Sequence, residues 1–265
     1  MRVVIAGGHG QIGLRLTALL AGRGDLVTGV VRNPDHRADV EGAGGAAAVC
    51  DLETTTAEDL ATHLVDADAD AVVFAAGAGP SSGAARKDTV DRAGAVLLAE
   101  AAELAGVRRY LLVSAMGVDD EPDPAAGEVW LAYLVAKRAA EEALRLTTLN
   151  WTILRPGLLT DAPGVGRVRL ERPPVDRGAI TRDDTATVLV ALLDAPGTAG
   201  LTLELVEGDD EVHEAVAAVV PRPGPDSDTD PDLDDEVRPG DPTASTVVAP
   251  ADTAASDPEE EDPHE

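Results

Sequence analysis

The sequence predicts an α/β fold, a doubly wound parallel sheet with helices on both faces. Three observations predict it. Short β-type runs alternate with longer segments of helical spacing over the first 220 residues. The runs are apolar throughout rather than alternating, as expected of strands covered on both sides. A glycine-rich turn follows the first run directly and opens the first helix.

Arg2–Ala6 reads as a buried first strand, and Gln11–Ala21 as a helix with Ile12, Leu16, Leu19 and Leu20 on one face. Asp25–Val31 is the second strand. Ala46–Cys50 is a short third, preceded by the turn Ala43-Gly44-Gly45 and followed by a helix over Ala57–Val65. Asp70–Ala75 is the fourth strand, Thr89–Ala105 a long helix stopped by Gly106, and Arg109–Val113 the fifth strand. Gly127–Leu146 is helical, Asn150–Leu154 the sixth strand, Asp183–Leu193 a helix, Leu201–Val206 the seventh strand and Asp209–Val219 the last helix. About seven strands bridged by helices imply parallel pairing with right-handed crossovers. The Gly, Pro and Arg content of Gly157–Arg177 reads as a mobile flap.

Of 265 residues 49 are acidic and 21 basic, a formal net charge of −28. Phosphate neutralisation needs clustered Lys and Arg, so no nucleic-acid partner is expected. No apolar run reaches about 18 residues, so no membrane span is expected. The apolar start is too short for a signal peptide, and one cysteine, Cys50, excludes an internal disulfide; a reducing cytoplasm is the expected compartment. Only Lys87 and Lys137 are lysines. That surface suits strong salt; a GC-rich genome would produce the same bias. Residues 221–265 carry 15 acidic residues against Arg222 and Arg238, with no aromatic residue and no apolar period. Such a segment cannot offset its ordering entropy, so the expected organisation is a single domain over 1–220 and a disordered acidic tail over 221–265.

The candidate chemistry begins at Gly7-Gly8-His9-Gly10-Gln11-Ile12-Gly13. Glycines there allow backbone N–H groups to approach a diphosphate, and the start of the helix adds partial positive charge. His9 can flank the phosphates. The second strand ends in Arg32-Asn33, where an acidic residue would hold the ribose diol of NAD(H). Arg32 instead fits a 2′-phosphate, which favours NADP(H) over NAD(H). Asp51-Leu52 follows the third strand, and Asp51 can meet an adenine amino group or cap a helix. Ala75-Ala76-Gly77 closes the fourth strand with small residues that leave room for a ribose. The remaining histidines show no metal-ligand spacing, so no metal is expected.

Ser114 ends the fifth strand, and Tyr133-x-x-x-Lys137 places two side chains on one helix face. A lysine ammonium beside a phenol is expected to lower the phenol's pKa, fitting Tyr133 for proton transfer while a hydride moves. Lys137 would tune it and hold the nicotinamide ribose; Ser114 would bond the substrate carbonyl.

The glycine turn, Ser114, Tyr133 with Lys137, and Asn150-Trp151-Thr152-Ile153-Leu154-Arg155-Pro156-Gly157 together resemble the short-chain dehydrogenase/reductase superfamily. They are most similar to its atypical NAD(P)H-binding branch, with biliverdin reductase B-like and NmrA-like relatives. Ile180-Thr181-Arg182-Asp183-Asp184 leading into a helix is also similar, and the resemblance spans roughly residues 1–208. It implies a Rossmann-type domain with Pro156 and Gly157 near the nicotinamide, and an NADP(H)-dependent oxidoreductase acting on a small carbonyl or alcohol. Asp91 stands where active members often carry Asn. That departure keeps a non-catalytic NAD(P)H-binding sensor as one alternative; a sugar-nucleotide epimerase or dehydratase, whose relatives share the Tyr/Lys pair, is another.

Overall fold

A computed structural model describes residues 1–79 and 82–221. The acidic tail expected over 221–265 lies, but for Pro221, outside the described residues. In chain order the strands are β1 (Arg2–Ala6), β2 (Leu26–Val31), β3 (Ala46–Val49), β4 (Ala71–Phe74), β5 (Arg109–Val113), β6 (Asn150–Pro156), β7 (Leu158–Thr160), β8 (Arg167–Glu171), β9 (Ala179–Thr181), β10 (Leu201–Glu207) and β11 (Asp210–Glu211). The helices are α1 (Gln11–Gly22), α2 (Arg37–Gly42), α3 (Ala57–Asp66), the single turn α4 (Ala84–Arg86), α5 (Gly94–Ala105), α6 (Glu128–Arg145), α7 (Arg182–Leu193) and α8 (Val212–Val219).

Nine strands form one sheet in the order β11-β8-β10-β6-β5-β4-β1-β2-β3. Seven run parallel, and β8 and β11 add an antiparallel edge. This is the predicted Rossmann-like, doubly wound architecture. From β1 the chain winds outward through β2 and β3, then returns to β4 on its other side. Ala6 registers with both Val30 and Phe74, so β1, β2 and β4 end level. A crevice opens at such a switch point, beyond the carboxyl ends of the strands.

The covering of both faces follows from strand geometry, since successive side chains point to opposite sides. Val3 and Ile5 join a core with Leu16 and Leu20 of α1 and Leu189 and Leu192 of α7. Val4 and Ala6 join a second core with Leu60 of α3, Leu98 of α5 and Leu144 of α6. No described helix is long and apolar enough to cross a membrane.

Three expectations are corrected. The stretch read as a mobile flap contains β7 and β8; β7 pairs with β9, and β8 lies against β10. In β8 Val168 and Leu170 face inward while Arg167 and Glu171 face water, the alternation of a strand covered on one face only. The helix expected over Thr89–Ala105 begins earlier and differently, as a π-helix over Lys87–Ala93 that buries Lys87, Val90 and Asp91. The last helix starts at Val212, because Asp210 and Glu211 pair with β8.

Candidate functional site

The glycine turn sits at the carboxyl end of β1, and its shape depends on missing side chains. Gly7 has φ +88°, and a Cβ there would stand 2.6 Å from the backbone N of Ala76. A Cβ on Gly13 would stand 2.3 Å from the carbonyl oxygen of Gly7, so only glycine lets α1 start this close to the turn. Gly8 packs below against Gly29, and the Gly10 N–H donates to the Gly7 carbonyl at 2.8 Å. Gly10 is also the N-cap of α1. No side chain caps that end, and no acidic residue occupies its first turn. The first N–H groups of the helix are therefore available to an anion.

A cleft of about 220 Å³ opens above this turn. Gly7, His9 and Gly10 form one wall; Arg32, Asp51 and Leu52 form a second; Ala75, Ala76 and Gly77 form a third. Residues expected from four separate stretches thus converge on one place. The others do not line it. Ile12 is buried in the core, and Gln11 Oε1 accepts from Arg15. Asn33 Oδ1 accepts from the Asp35 N–H and caps a turn. Asp51 Oδ1 accepts from the Glu53 N–H at 3.1 Å, so Asp51 caps a turn while it lines the cleft. Pro156 ends β6, and Gly157 is there because a Cβ would stand 2.3 Å from the Gly178 carbonyl oxygen.

Beyond Gly77 lies a cluster of buried charge. Asp91 packs so close to Gly77 that a Cβ there would stand 3.2 Å from its Oδ1. Asp91 Oδ2 accepts from the Ala78 N–H at 3.1 Å, and Oδ1 lies 3.5 Å from Lys137 Nζ. Lys137 is 3 % exposed and donates to the Val113 carbonyl at 3.0 Å. Its ammonium is turned into the wall, 5.8 Å from the Tyr133 ring centroid and 5.6 Å from that of Phe74. Lys87 Nζ stands 5.5 Å from the Tyr133 centroid and donates to the Gly79 carbonyl at 2.7 Å. Tyr133 also stacks at a tilt on Trp130, with centroids 5.3 Å apart.

This geometry reverses the expected tuning of the phenol. Burial and the charge of Asp91 both push the Tyr133 pKa up. Lys137 does not counter this, because its charge is matched by Asp91; burial pushes its own pKa down, with Asp91 opposing. Tyr133 therefore stands as a neutral phenol, a proton donor.

Ser114 is drawn elsewhere. Its hydroxyl donates to Glu141 Oε1 at 2.5 Å, behind the sheet end. Glu141 is fully buried and also accepts from Arg155 Nε at 2.9 Å and Nη2 at 2.6 Å. Glu141 lies one helical turn after Lys137, on the same buried side of α6; that spacing was a readable signal. Sequence reasoning also missed Lys87, Glu53 and Arg86. Lys87 had one clue, being half of the lysine content. Among the described residues, no cluster of three His, Cys, Asp or Glu is placed to hold a metal ion.

Comparison with known proteins agrees with this geometry. A family profile described as NAD(P)H-binding matches residues 7–196. A Bacillus subtilis protein described as an uncharacterized sugar epimerase, YhfK, is 36% identical over 217 residues, covering 82% of this chain and 99% of its own. A Bacillus halodurans structure, provisionally titled an NAD-dependent epimerase/dehydratase, superposes with a TM-score of 0.73 at 33% identity, covering 83% of this chain and 100% of its own. The Lactococcus lactis structure titled oxidoreductase ylbE gives 0.71 at 25% identity, covering 82% and 96%.

Proposed function

Because the chain belongs to the NAD(P)H-binding family, we propose that it is an NADP(H)-dependent oxidoreductase reducing a small carbonyl compound, with Tyr133 as the proton donor. One observation carries this reading. The glycine-floored cleft and the neutral phenol meet through a shared wall, in which Asp91 touches Gly77 on one side and Lys137 on the other.

The residues present fit the cofactor. A cradle that any Cβ would fill, and an uncapped helix start, suit a diphosphate. Ala75, Ala76 and Gly77 leave room for a sugar ring, and Arg32 supports a 2′-phosphate. When bound, the nicotinamide supplies the hydride. The chain's own part is proton supply. As a carbonyl is reduced its oxygen gains charge, and the Tyr133 O–H is the group to discharge it. Burial, with the charge of Asp91 nearby, keeps the phenol from ionising early, and Lys137 is held beside Asp91. Ser114 belongs with Glu141 and Arg155 in this reading, not with the substrate. The single buried cysteine accords with a cytoplasmic setting.

The test is hydride transfer from labelled NADPH to a panel of small carbonyls. Tyr133→Phe should lower turnover by about a hundredfold or more while leaving NADPH binding intact. Undiminished turnover in that variant overturns the assignment. The descriptions of the Bacillus relatives favour a second reading, an epimerase or dehydratase acting on a nucleotide sugar. That enzyme would change substrate stereochemistry or release water without net consumption of NADPH.

A further inference from the structure

Two arginines from distant parts of the chain stand at the mouth of the cleft. Arg32 follows β2, and Arg86 ends α4 just before the π-helix. One carboxylate joins them. Glu53 Oε2 accepts from Arg32 Nη1 at 3.1 Å and from Arg86 Nη2; Oε1 accepts from Arg86 Nε at 3.3 Å and from Thr89 Oγ1 at 2.8 Å. Glu53 thus ties the strand-end arginine to one that arrives from beyond β4, and Thr89 in the π-helix anchors the tie.

The charge of this group is unusual for the molecule. Two guanidiniums share one carboxylate, so the trio carries a net positive charge; Asp51, which also lines the cleft, brings the charged lining to balance in a chain whose formal charge is −28. Each guanidinium carries five N–H donors. Glu53 takes one from Arg32 and two from Arg86, so most of the fork is left for another anion. The glycine turn lines the same cleft and, with the start of α1, already suits a diphosphate. A second, separate anion seat therefore calls for a ligand with a second phosphate. A monoester fits best, because it brings nearly two charges and three free oxygens to two planar forks.

We propose that Arg86 is the second half of a two-arginine seat for the ribose 2′-phosphate, and that with Arg32 it selects NADP(H) over NAD(H), Glu53 holding both side chains in place. This rests on the nucleotide-binding reading above and adds a specificity-determining residue to it. Arg86 is partly exposed, so its replacement leaves the fold intact.

Binding, not turnover, tests it. Titrations of the full chain with NADPH, NADH, adenosine 2′,5′-bisphosphate and 5′-AMP would be compared with those of Arg86→Gln and Arg86→Lys. Arg86→Gln should weaken NADPH and the bisphosphate about ten- to a hundredfold, and change NADH and AMP by less than about twofold. Arg86→Lys should fall between, since a point charge replaces a fork. The NADPH preference should also shrink with added salt. If the unaltered chain prefers NADPH and Arg86→Gln keeps that preference, this inference falls and the NADP(H) reading stands. If the unaltered chain binds NADPH no tighter than NADH, both fall together.

Discussion

Replacing Glu141 by Leu should be among the most damaging single changes in the molecule. The carboxylate is fully buried and accepts from Ser114, from two nitrogens of Arg155 and from Arg145. Arg155 is only 3 % exposed, and its remaining ties are to Asp119 at 2.5 Å and Glu204 at 3.8 Å. Removing Glu141 leaves that guanidinium dry and half-paired, a loss of about 3–5 kcal/mol. Arg145 is about one-third exposed, so losing its bond adds roughly 0.5 kcal/mol or less. In a chain of this size the sum lowers Tm by about 6–20 °C. The informative variant is the double one. Glu141→Leu with Arg155→Met removes both charges, and it should recover most of the loss. Thermal and urea unfolding of the four proteins measure the cycle. If Glu141→Leu costs less than about 1 kcal/mol, or if the two changes simply add, the buried pair is not what holds β5, β6 and α6 together.

Three further outcomes follow from the geometry. Gly13→Val drives a Cβ into the Gly7 carbonyl at 2.3 Å; it should cost about 1–3 kcal/mol of stability and sharply weaken NAD(P)H binding by calorimetry. Because burial and Asp91 raise the Tyr133 pKa, reductive turnover should hold as pH climbs to the ordinary phenol value of about 10. A fall centred near neutrality would refute the neutral-donor assignment. Arg2 holds the Asp70 carboxyl below the usual range, and Arg15 does the same for Asp183. Those contributions are present above an ordinary carboxylate pKa of about 4 and are lost as pH falls below it, so the urea midpoint should drop between pH 6 and pH 3. Both groups are well exposed, and the drop should be modest and smaller still in salt.

The parallel strands were legible because each is a short, wholly apolar run, and the glycine turn because its spacing and position coincide. What escaped was set by partners far along the chain. The alternation Val168, Leu170 against Arg167, Glu171 is itself a strand signal, hidden by the surrounding Gly and Pro. The π-helix is not written in a 3.6-residue period; it is visible only where Lys87 and Asp91 meet the end of β4 and α6. Tyr133 and Lys137 share a helix face as their spacing implies. The sign of the effect on the phenol depends on Asp91, which arrives from another element. Likewise Ser114 ends its strand as expected, and Glu141 decides where its proton goes.

The chain has just two lysines, and the fold withdraws both: Lys87 is 6 % exposed and Lys137 3 %. The folded protein therefore offers acylating reagents, aldehydes and amine-directed cross-linkers only its amino terminus, which itself sits against Asp25. Labelling at Lys87 or Lys137 becomes a clock for opening of the wall behind the cleft, read against an almost silent background.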